Sequence, residues 1–192
     1  MTSRVLCQET RPDSLASLVE KLARARVGAT FNQYGEGQRA PLLCDRLARY
    51  LETRASADIL LVGEAAGYRG ARVSGIPFTS ERQLTGDGAG EATATIVHRV
   101  LAELGLACNV LLWNVVPTHP GTASTNRPPT RAEVAAGLEL MESLARGRRV
   151  IAVGRIAARA LGCEAVRHPS HGGAREFRAG LVELLDPVPD PA

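Results

Sequence analysis

Three groups in this sequence are of types that could act on a ligand. Glu64 is the only carboxylate in the glycine-rich stretch GEAAGYRG, residues 63–70. Asn114 interrupts the apolar run LLWNVVP, and His168 precedes a proline in RHPSHGG. A carboxylate can position water or face a developing cation. An amide offers one acceptor and two donors, which suits the carbonyl and imide edge of a pyrimidine. A histidine N–H can stabilise negative charge as it develops on a departing group. Each group also has a plain structural use: Glu64 as a brace for its turn, Asn114 as a cap on local backbone, His168 as a surface residue. A buried amide without partners costs roughly 1–3 kcal/mol, so Asn114 must take one role or the other. Phe78, in the Gly/Pro-rich segment SGIPF, is either a core anchor or a face for stacking a planar ligand.

Familiar phosphate and nucleophile patterns do not fit. Gly63, Gly67 and Gly70 lack the spacing of a dinucleotide fingerprint, and no Gly-Lys-Ser/Thr ending makes a P-loop. No G-x-S-x-G elbow occurs. The long polar segment PTHPGTASTNRPPTR, residues 117–131, is either a linker or a functional loop.

The elements that must position these groups alternate along the chain. Residues 13–27 space Leu15, Leu18, Val19 and Leu22 at helical intervals, with Asp13 as the N-cap. Helices are also expected over 42–54, 91–104, 131–146, 155–162 and 175–185. Apolar runs at DILLVG, NVLLWNVVP and RRVIAVG read as strands, and EAVRHPS holds a fourth. Helices alternating with near-continuous apolar strands predict a three-layer α/β/α sandwich around a central four-stranded, mainly parallel sheet. Ligands gather at the carboxyl ends of such strands. The glycine loop, Asn114, Gly154 and His168 should therefore share one rim.

Composition sets outer limits. The 192 residues suit one domain, 1–192, and a hydrophobic content of 45% argues against disorder. No apolar run approaches the roughly 20 residues of a membrane span. The opening residues, MTSRVLCQET, lack the apolar stretch of a secretory signal. A cytoplasmic, monomeric protein without membrane attachment is expected. The net charge of +3 permits an acidic partner without demanding one. Lys21 is the only lysine; the arginine skew suits phosphate recognition, and a GC-rich coding bias would produce it equally. Cys7, Cys44, Cys108 and Cys163 form no C-x-x-C pair, so reduced thiols and no metal site are expected.

The order of these motifs resembles the uracil-DNA glycosylase superfamily over roughly residues 55–175. Gly63-Glu64-Ala65-Ala66-Gly67 is similar to the GEAPG motif of its thermostable iron–sulfur branch. Ile76-Pro77-Phe78 resembles that branch's R-P-F. Asn114-Val115-Val116 with Asn126-Arg127-Pro128-Pro129 resembles NVVKC…NR-x-P, and His168-Pro169-Ser170 matches the closing motif. The resemblance implies a DNA glycosylase acting on uracil-containing DNA and releasing free uracil. Under it, His168 and Glu64 are the catalytic candidates, with Gly63, Ala65, Gly67, Phe78 and Asn114 around the base. Arg127, Ser170 and Arg175 are the candidate DNA contacts.

The chain also departs from the pattern. Thr118 stands where the branch has a cluster cysteine, and the N-terminal C-x-x-C is missing, so no cofactor and no cluster are expected. Ala65 stands where the best-known branch has a water-activating aspartate, and Gly67 where it has a tyrosine gate. Gly67 is accordingly expected to leave an open pocket wall that admits other deaminated bases. Two further readings follow: a non-catalytic binder of damaged or abasic DNA, and a nucleotide-binding α/β enzyme of another kind.

Overall fold

The computed structural model describes residues 15–185. Its elements run α1 (Leu15–Arg24), α2 (Ala40–Thr53), β1 (Ile59–Ala65), α3 (Ala71–Ser74), α4 (Glu81–Thr85) and α5 (Ala92–Glu103). They continue with β2 (Val110–Val116), α6 (Arg131–Ala145), β3 (Arg149–Val153), α7 (Arg155–Leu161), β4 (Ala165–Val166) and α8 (Ala174–Leu185). The four strands form one sheet in the order β2-β1-β3-β4, and every pairing is parallel.

Side-chain alternation divides the core into two layers. Leu60, Val62, Leu111, Trp113 and Ala152 face α1, α2, α6 and α7. Ile59, Leu61, Val110, Leu112, Ile151 and Val153 face α5 and α8. Both faces of the sheet are therefore covered, which explains why the strands read as unbroken apolar runs rather than alternating ones. The three-layer sandwich expected from the sequence is the fold observed.

The differences are local. Helix α2 starts at Ala40 because Pro41 fits the first turn, where its missing N–H costs nothing. The fourth strand keeps only two residues before the chain turns into the HPS loop. Residues 71–85 carry two short helices, each ended by a left-handed glycine, Gly75 and Gly86. Asp13, the expected cap of α1, lies outside the described residues.

Strand order reverses between β1 and β3, so the crevice for a ligand opens beside the end of β1. Register puts Gly63 directly beside Asn114 across the β1–β2 pair. Gly63 and Asn114 continue the parity of Leu61 and Leu112, which places both on the side where Phe78 packs.

Candidate functional site

A cavity of about 370 Å³ opens at the carboxyl rim, within the range of roughly 300–1,000 Å³ typical of small-molecule sites. It is lined by Glu64, Ala65, Gly67, Phe78, Asn114, Arg127, His168 and Ser170 among others, so eight of the ten residues singled out from sequence meet there. Gly63 lies just behind the lining. Arg175 lies outside it, on the exposed first turn of α8, with its guanidinium 3.9 Å from Glu176.

Gly63 is a glycine because of its neighbours. A Cβ there would overlap the Phe78 ring and come within 2.9 Å of Asn114 Oδ1. The missing side chain thus lets an aromatic face and an amide stand side by side. Phe78 holds a left-handed φ of 52°, a conformation that costs a bulky residue about 1–3 kcal/mol. Its surroundings enforce it. Ser74 Oγ donates to the Thr79 carbonyl at 2.7 Å, and Thr79 Oγ1 donates to the Pro77 carbonyl at 3.1 Å. The Thr79 hydroxyl also meets His98 Nε2 at 3.0 Å. Asn114 is only 4% exposed, yet its side chain makes no hydrogen bond to any described residue. It does not cap backbone, and its amide lines the cavity. Gly63→Ala is expected to destabilise the protein by about 1–3 kcal/mol through overpacking. A thermal unfolding curve superimposable on the wild type would contradict this packing account.

His168 is positioned by the residues after it. The Ser170 backbone N–H donates to His168 Nδ1 at 3.1 Å, and the Ser170 hydroxyl lies 2.7 Å from the same nitrogen. Nδ1 is therefore an acceptor, and the neutral ring carries its proton on Nε2. Burial lowers the pKa of His168, helped by the charges of Arg167 and His171, which favours that neutral form. The Ser170 hydroxyl also meets His171 Nδ1 at 3.0 Å. Ser170, singled out from sequence as a candidate DNA contact, thus also sets the tautomer of His168.

Glu64 ends β1 and lines both this cavity and the adjoining groove beside Gly154 and His168. Its carboxyl group makes no hydrogen bond or ion pair with any described residue, so it does not brace the turn. Burial pushes its pKa up.

The open wall expected at Gly67 is absent. Glu91, from the start of α5, fills that space, with Oε1 2.5 Å from where a Gly67 Cβ would stand. The sequence reading missed Glu91 because it is distant in the chain and belongs to none of the matched motifs. The pair of small residues at 67 and 70 was the available signal that something else packs there.

The proline-rich segment is not a linker but a clamp on the glycine loop. Asn126 Oδ1 accepts the Tyr68 N–H at 3.0 Å. Buried His119 places its ring nitrogens 2.7 Å from the carbonyls of Ala66 and Thr122. Arg127 lines the cavity, but its guanidinium is engaged twice by Glu133, at 2.8 and 2.6 Å. That pairing holds the Glu133 carboxyl down to about 2. Glu133 also accepts the N–H groups of Thr130 and Ala29. Arg127 therefore anchors the loop to α6, and binding a phosphate would compete with this pair.

Fold and cavity together define an α/β protein with a pocket at the rim of a parallel sheet. The family model for the uracil DNA glycosylase superfamily matches residues 51–187. The chain belongs to that superfamily, whose members are DNA glycosylases. The crystal structure of wild-type SMUG2 from Pedobacter heparinus is similar in fold, with a TM-score of 0.64 at 12% identity. The match covers 88% of this chain and 96% of that one. No curated protein sequence matches the chain.

Proposed function

We propose that the protein is a monofunctional glycosylase that extrudes uracil from DNA and hydrolyses its N-glycosidic bond, the first step of base-excision repair. The observation that carries this reading is the unpartnered Asn114 amide beside the Phe78 ring, with a neutral histidine across the same cavity.

Extruding a nucleotide costs a few kcal/mol of unstacking. Stacking on Phe78 recovers part of that cost. The Asn114 amide donates to one base carbonyl and accepts from the imide N–H. As the bond between sugar C1′ and base N1 breaks, its electron pair moves onto the base. The Nε2–H of His168 donates to the base O2, where that charge accumulates. Water adds to C1′, and the Glu64 carboxylate takes the proton that this oxygen loses. Free uracil and an abasic sugar are the products.

This chemistry fixes the pH dependence. Glu64 must be ionised, and its pKa lies above the ordinary 4.5. His168 must be neutral, and its pKa lies below the ordinary 6.5. Both requirements fail as pH falls, and the Glu64 pKa lies above 4.5, so kcat/KM should decline as the pH is lowered from neutrality to 4.5. A rate that rises as the pH is lowered through that interval would contradict the assignment.

Ala65 favours a second reading, a non-catalytic binder, because the water-activating side chain of the best-known branch is missing there. Glu64, one residue earlier and lining the cavity, supplies a carboxylate in its place. Incubating the protein with uracil-containing single and double strands separates the two readings. Stoichiometric or greater release of free base supports the glycosylase; retention of the DNA with its uracil intact supports the binder.

A further inference from the structure

Glu91 occupies the N-cap position of α5, but its side chain makes no capping bond to that helix. Glutamate is also a poor choice for a cap, where Ser, Thr, Asp or Asn would stabilise the first turn. Its carboxyl group turns to the glycine loop instead, filling the space that a Cβ would need at Gly67 and again at Gly70. Two glycines on one loop make room for one carboxyl group. That group lines the cavity and makes no hydrogen bond or ion pair with any described residue. Neither helix capping nor loop bracing accounts for it, which leaves its contact with the cavity.

The pose of the base under the glycosylase reading, on which this inference rests, shows what it would touch. A pyrimidine with its sugar bond outward, O2 at His168 and its imide edge at Asn114 has one edge left, carbons 5 and 6. The wall not taken by Phe78, Asn114 and His168 includes Gly67, Glu91 and Thr93, beside the glycine loop. We infer that Glu91 is a specificity-determining residue, whose carboxyl group closes this wall and excludes pyrimidines bearing a substituent on carbon 5. A methyl group there would overlap the carboxyl and strip it of water without replacing the lost hydrogen bonds. Burial already raises the pKa of Glu91, in keeping with a group that sees little solvent.

The test compares E91S and E91Q with the wild type on single-stranded oligonucleotides that carry either uracil or its 5-methyl analogue, thymine. Single strands remove any difference in unpairing cost. Serine vacates the wall while improving the cap, so folding is protected; E91A repeats the vacancy without the hydroxyl. One methyl group accepted or refused by a pocket is worth about 10–200-fold. Wild type and E91Q should favour uracil strongly, and E91S and E91A should shrink that preference by about tenfold or more, chiefly by raising the thymine rate. A uracil-to-thymine ratio in E91S and E91A equal to the wild type would overturn the inference. Loss of the preference in E91Q would also overturn it, because the shape of the wall is then unchanged. Wild type that releases neither base would instead overturn the glycosylase reading and this inference with it.

Discussion

His168→Ala should slow single-turnover release of uracil by about 10²–10³-fold, the usual cost of removing one preorganised donor from a developing anion. The geometry makes this loss specific to chemistry. With Nδ1 accepting from the Ser170 N–H, only Nε2 is left to donate, and no described neighbour replaces it. His168 lies in the loop after β4, half-buried and outside both apolar clusters. Its removal should therefore leave the melting temperature near that of the wild type, and binding of uncleaved DNA close to normal. A variant with full activity would remove His168 from the mechanism, and one that unfolds would reassign it to structure.

Asn114→Asp should cost about 10²-fold or more, through loss of a donor facing a base carbonyl and the desolvation of a new charge. Shape is retained in this variant, so the change isolates hydrogen-bonding chemistry from packing against Phe78. Asn114→Ala should show a comparable loss of uracil release, because two directed hydrogen bonds of about 1 kcal/mol or more each disappear. The expected signature is a weakened response to uracil over an abasic analogue in binding, together with slower release. If Asn114→Asp keeps wild-type release, the amide reads nothing, and its lack of protein partners needs another cause.

Much of this site could be read from the sequence because strand ends concentrate function. The apolar runs at 58–63 and 109–117 fixed where β1 and β2 end, and Asn114 stood out as polar within such a run. A parallel sheet then required the glycine loop, Asn114 and His168 to share a rim. What sequence could not show was the use of individual side chains. Ser170 and Arg127 read as phosphate contacts because hydroxyls and guanidinium groups commonly serve that purpose. In the fold, one sets the tautomer of His168 and the other is paired with buried Glu133. The capping box formed by Thr130 and Glu133 was visible in the order T-x-x-E, but not the second use of Glu133 as partner to Arg127. The short helices at 71–85 escaped notice because glycine and proline dominate that stretch. The S-x-x-Q of Ser80 and Gln83, where Gln83 Oε1 accepts the Ser80 N–H at 2.8 Å, was their one readable start signal.

Gly67 illustrates the limit most clearly. A missing side chain in sequence suggests an opening, yet in space it can mean that another residue needs the room. Here Glu91 takes it. Two carboxyl groups, Glu64 and Glu91, therefore line the cavity.

The proposed activity is hydrolysis of uracil from DNA. Its most direct measurement is the release of free uracil from one uracil-bearing oligonucleotide at excess enzyme, followed in parallel for the wild type and His168→Ala. The wild type should yield free uracil and an abasic strand, with the variant slower by about 10²–10³-fold. Tight binding by both proteins with the base still attached would contradict it.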